Sequence, residues 1–146
     1  MLFRSTSEQA KALTEGTVNV TANVSDADGN PATQASASFT YDKTAPTVTS
    51  TDAAGTGINS GTDFLKAGGV VTLTVNTSEA VFVDTSGGTP TLSLSSGGAA
   101  TYTGGSGTTA LSFSYTVGAS DNASDLTITA LNANGATLAE IGRAHV

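Results

Sequence analysis

The stretch Asp26-Ala27-Asp28-Gly29-Asn30 carries three oxygen-bearing side chains at alternate positions. Side chains of this kind are ligands for hard cations, and Ca²⁺ takes roughly six to eight oxygens from Asp, Glu, Asn and backbone carbonyls. The stretch resembles the opening of a calcium loop. It lacks the closing Glu of an EF-hand, because the chain runs on as PATQASASF with no acid. The same residues suit a solvated turn, with Asp28-Gly29-Asn30 supplying positive φ and side-chain caps. At the level of residue type both readings stand.

The elements that must position such a turn are strands. Period-two alternation puts Val18, Val20, Ala22 and Val24 on one face of TVNVTANVSD and Ala35, Ala37, Phe39 and Tyr41 on one face of QASASFTYD. The same pattern points Val71, Leu73 and Val75 inward, then Leu92 and Leu94, then Leu111, Phe113, Tyr115 and Val117, then Leu126, Ile128 and Ala130. The opposite faces are mostly Thr and Ser, as on the solvated side of an antiparallel sheet. The connectors DADGNP, TSGGTP, SSGGAA, GGSG and NANG are turn-formers. Short strands at this spacing predict an all-β antiparallel sandwich. The four aromatics Phe39, Tyr41, Phe113 and Tyr115 are expected in its core.

A boundary is expected at YDKTAPTVTS, where Pro46 cannot donate to a ladder and biases Ala45 away from helix. Two clear strands precede it, too few to close a core, and about six strand candidates follow it.

These residues carry a resemblance. VNVTANVSDADGNPATQASASFTYDKTAPTVTS resembles the last two strands of a bacterial Ig-like domain followed by the D-x-T-A-P connector that joins such domains in tandem. GGVVTLTVNTSEAV, the segment TPTLSLSSGGAATYTGGSGTTALSFSYTV, and SDLTITALNANGATLA are similar to the next repeat of the same kind of array. The resemblance covers nearly all of 16–139 and implies a slice across a tandem stalk of a large secreted or surface-anchored bacterial adhesin. On that reading 6–44 are the C-terminal strands of one incomplete repeat, and 45–139 are a second repeat lacking its final strand.

The ends fit the same expectation. If IGRAHV is encoded as ATC GGA AGA GCA CAC GTC, its first portion preceded by AG has the reverse complement GTG CTC TTC CGA TCT. Read from GTG as a start codon, that is Met-Leu-Phe-Arg-Ser, the first five residues of the chain. The DNA resembles a common sequencing-library adapter, so 1–5 and 140–146 are expected to be translated adapter, with Glu140 at the join.

Setting those ends aside removes both arginines and the only histidine, and leaves Lys11, Lys43 and Lys66 against eleven carboxylates, the chain's twelve less Glu140. The chain has no Cys. General bases, thiol nucleophiles and bidentate anion clamps are then missing, apart from lone Ser, Asp or Glu groups. A Ser–His–Asp arrangement is impossible, and a paired-carboxylate glycosidase would have no Trp platform. No enzyme activity is expected. A net charge of −7 with 12% charged residues argues against nucleic acid and against an anionic membrane as partner. No apolar run approaches the ~18 residues of a membrane span. The expected partners are neighbouring repeats of the same chain, and the expected location is extracellular or on a bacterial surface.

In an Ig-like sandwich the loop between the last two strands lies at the domain's N-terminal end. Asp26, Asp28 and Asn30 would then face a preceding repeat. Asp42, ending the last strand, would face the following one, where the loop after VTLTV brings Glu79 and the NANG turn brings Asn132 and Asn134, with Asp52 nearby. The resemblance implies calcium between successive repeats in some adhesins of this kind, where a shared cation would stiffen the short connector. Without a cation the same acids keep a stalk soluble. The rival function is an accessory spacer or carbohydrate-binding module beside the catalytic domain of a secreted enzyme.

Overall fold

In the computed structural model, residues 13–56, 58, 66–121 and 126–140 are described. They fall into two compact units, one ending at Thr44 and the other beginning at Ala45. Every named element is a strand and every pairing is antiparallel.

The first unit is a hairpin of β1 (Gly16–Ala22) and β2 (Ala35–Tyr41). Its register sets Val18 against Phe39, Val20 against Ala37 and Ala22 against Ala35. Because side chains alternate along a strand, these apolar pairs share one face, and Asn19, Ser38, Thr21 and Ser36 share the other. Among the described residues nothing buries the apolar face. Val20 and Phe39 are 47% and 48% exposed. The core role expected for Phe39 is therefore corrected: a two-stranded ribbon has a face but no second layer to bury it.

The second unit is a seven-stranded, sandwich-like sheet. Its strands are β3 (Val48–Ala54), β4 (Val70–Asp84), β5 (Thr91–Leu94), β6 (Ala99–Gly104), β7 (Thr108–Thr116), β8 (Ile128–Asn132) and β9 (Thr137–Glu140). Their order is β3-β4-β7-β6-β5-β8, with β9 also on β4. The inward residues of β4, β5, β6 and β7 form one buried cluster around Phe113, so the sheet folds over onto itself. Phe113 is 1% exposed and meets Tyr102 edge-on, with ring centres 5.5 Å apart at 70°. Ile128 on β8 and Leu138 on β9 pack against the same cluster.

β4 holds the unit together. Its first half pairs with β3 on one edge and β7 on the other, and its second half pairs with β9. The ladder to β7 is irregular between Asn76 and Val81 and resumes at Val81↔Thr108. Within this interruption the Thr77 hydroxyl donates to the carbonyls of Glu79, at 2.6 Å, and of Thr109, at 3.2 Å. Alternation beyond it buries Val81 and Val83. The VVTLTVN strand read from the sequence therefore continues to Asp84, and β9 lies beyond the NANG turn where no strand was expected.

Candidate functional site: carboxylates and amides on turns

The β4 interruption changes the setting of Glu79. Expected on a loop after the strand, it sits inside β4, two residues before Val81. Val81 lies opposite Glu140 in the β9 ladder. A carboxylate oxygen of Glu79 and one of Glu140 consequently lie within 4.8 Å of each other, and both residues are half-buried. Two carboxylates this close repel, and a hard cation between them would relieve the repulsion and take them as oxygen ligands. The sequence alone puts Glu140 at the expected adapter join and gives it no ligand role. The usable signal was its place at the end of TLAE, whose pairing partner only the fold reveals.

Asn132 and Asn134 are engaged elsewhere. The Asn132 amide donates to the Ser93 hydroxyl at 2.9 Å, across the β5–β8 ladder. The Asn134 amide donates to the Thr89 carbonyl at 3.1 Å and the Thr91 hydroxyl at 2.9 Å. Asp52 on β3 accepts from the Asn76 amide at 2.7 Å.

In the first unit Asp26 organises its own turn. One carboxylate oxygen accepts the backbone N–H of Asp28 at 3.0 Å and of Asn30 at 2.8 Å, and the other accepts the Asn30 side-chain amide at 3.0 Å. These bonds, the Asn30 amide foremost, hold the Asp26 carboxyl below its usual range. The Asn30 amide N–H thus points at Asp26, which is how a capped turn is closed, and Gly29 supplies the left-handed step at φ 86°. Asp42 belongs to this unit as well, and its carboxylate accepts the Thr44 backbone N–H at 2.9 Å.

One polar cluster was not anticipated. The buried Tyr115 hydroxyl donates to Asp121 through a short hydrogen bond and lies 3.0 Å from the Ser96 hydroxyl, while Gly118 N–H also donates to Asp121. Tyr115, then Gly118, hold the Asp121 carboxyl low, and burial, then Asp121, pushes the Tyr115 hydroxyl up. The cluster pins the chain after β7 to the β5–β6 turn. The only sequence signal was an acid three residues past a glycine.

An apolar groove of about 330 Å³ opens between the sheet's two outer strands, with Val48 and Thr51 from β3 facing Ile128 to Leu131 from β8 over Leu111 and Phe113. Its polar lining is limited to Thr51 and Thr129, without the convergent charged or amide groups that orient a small-molecule ligand. It is the open seam of the core.

The fold is thus an all-β, sandwich-like one, with paired carboxylates and capped turns at its surface. Comparison with protein-family models, with curated proteins and with solved structures finds no match to this chain.

Proposed function

We propose that this chain is a structural spacer, a slice of a tandem Ig-like stalk from a large bacterial surface or secreted adhesin. The observation that supports it best is the second unit, where a single apolar core carries outward faces of Thr and Ser and no Asp, Glu or Lys side chain is fully buried among the described residues. A module of that kind supports itself and can pass load along a chain without presenting a reactive centre. Its polar groups serve turns: Asp26, Asp121 and Asn134 each tie backbone or neighbouring loops in place.

Calcium stiffening belongs to the same proposal, with the Glu79 carboxylate, which lies inside the repeat whatever the origin of residue 140, as an oxygen ligand of the second unit. Calcium should raise the melting temperature of the chain over that in chelator, and Glu79→Gln should remove most of the rise. Equal melts in calcium and chelator would end the calcium part and leave the spacer reading intact.

The experiment that decides the spacer reading is sequencing the source DNA across both ends of the reading frame. Further repeats joined by D-x-T-A-P-like connectors are expected. A frame that runs into a catalytic domain would overturn the stalk and make the chain an enzyme's accessory module.

A further inference from the structure

The turn between β8 and β9 is Ala133-Asn134-Gly135-Ala136, closed by a hydrogen bond from Ala136 N–H to the Ala133 carbonyl at 2.9 Å. Asn134 and Gly135 both take positive φ, 52° and 89°. The turn sits hard against Gly87-Gly88 of the turn between β4 and β5. A Cβ at Gly87 would overlap the Gly135 carbonyl oxygen, one at Gly88 the Asn134 carbonyl oxygen, and one at Gly135 the Gly87 carbonyl oxygen. The Asn134 amide completes this clasp by donating both ways, to Thr89 and to Thr91.

Of the chain's eight asparagines only Asn134 precedes a glycine. A glycine nitrogen has no neighbouring Cβ to shield it, so it is the backbone nitrogen best able to attack the preceding side-chain amide. In that step the Gly135 nitrogen bonds to Cγ of Asn134, the Cγ–Nδ2 bond breaks, and ammonia leaves with the proton that Gly135 nitrogen carried. Solvent water then opens the cyclic imide, at Cγ to give isoaspartate's alternative, aspartate, or at the backbone carbonyl carbon to give isoaspartate itself.

We propose that Asn134–Gly135 is a modification site of this protein, a one-way covalent latch held shut by the folded clasp. While the two turns stay together, the backbone is fixed in the left-handed region and the amide hydrogens are held by Thr89 and Thr91, so Gly135 nitrogen is kept from Cγ. The ring closes only after the turn opens, and such openings draw on local stability. Once formed, a carboxylate at 134 has no N–H to donate and turns an oxygen toward the Thr89 carbonyl, so the clasp does not close again. A chain that has opened under load, heat or age keeps the record. This inference is independent of the spacer reading, because it needs only the second unit.

The test is peptide mapping by mass spectrometry of protein incubated at mildly alkaline pH, folded and in urea. In urea Asn134 should be the first asparagine converted, and in the folded chain its conversion should be markedly slower. Thr91→Val should speed conversion in the folded chain about fivefold, the equivalent of one net hydrogen bond, and leave the rate in urea unchanged. Equal rates folded and in urea would overturn the proposal, and that comparison needs no variant. A Thr91→Val protein that folds but converts no faster would also overturn it. For the one-way character, Asn134→Asp should melt lower than Asn134→Gly, which keeps the left-handed step without the charge; equal melts would remove that part.

Discussion

β2 and β7 are written in the same alternating alphabet, and they end in opposite circumstances. ASASFTY carries Phe39 and TALSFSYT carries Phe113, each flanked by small polar residues and followed two positions later by Tyr. Phe39 is 48% exposed and Phe113 1%. The difference is the number of layers. β7 has β4 and β6 beside it and β5 folded over it, whereas β2 has one neighbour and an apolar face with nothing above it among the described residues. Alternation decides which side of a strand is apolar, and burial requires a second surface.

That contrast can be broken most forcefully at the two phenylalanines. Phe113→Ala should cost about 4 kcal/mol of unfolding free energy, through lost transfer energy and the cavity left beneath Tyr102. Phe39→Ala should cost less than about 1 kcal/mol. Denaturant titration of both variants checks this, and similar losses would mean that the hairpin's apolar face is covered in solution.

A smaller gap is expected at the glycines. Gly105 has φ 99°, and a Cβ there would overlap the Ala110 carbonyl oxygen, so Gly105→Ala should cost about 3 kcal/mol. Gly29 has φ 86° in open space, so Gly29→Ala carries only the left-handed penalty of about 1 kcal/mol. Thermal melts rank the two, and a reversed order would place the tight turn in the hairpin.

Acid sharpens the comparison through two carboxylates. Asp26 in the hairpin and Asp121 beside Tyr115 are both held below their usual range by hydrogen bonds to the ionised form. A depressed carboxyl contributes stability that is present above its unfolded pKa, near 4, and is lost as pH falls through the lower folded value. The melting temperature should therefore drop below about pH 4. Asp121→Asn should flatten that drop, and Asp26→Asn should leave the melt of the sandwich unchanged. A drop of equal steepness in Asp121→Asn would show that the Tyr115 contact carries none of it. The smallest effect is kinetic: amides of β1 and β2 should exchange with solvent faster than those of β4 and β7, measured residue by residue.

Much of this was legible in the chain. The strands holding Val18, Ala37, Leu73, Leu92, Phe113 and Ile128 follow from period-two alternation, because a pleated backbone leaves no other way to gather those side chains on one face. β9 was not legible, since TLAE is too short to show a period and becomes a strand only because β4 offers it an edge. TSE interrupts the alternation after VTLTV, so the local pattern alone puts Glu79 on a loop. The structure carries the strand through, with an irregular ladder that a local pattern cannot distinguish from a strand's end.

The site residues divide along the same line. Asp26, Asp28 and Asn30 interact within five consecutive residues, so a turn could be read from their spacing, and local hydrogen bonds form it. Asn134 next to Gly135 likewise announces a turn in two letters. The pairing of Glu79 with Glu140, the docking of Gly135 on Gly87 and the capture of Asp121 by Tyr115 were decided by tertiary structure alone. Covalent neighbours set φ, ψ and side-chain alternation. Which carboxylate meets which hydroxyl depends instead on strand register and sheet curvature, and those come from burying the whole core at once.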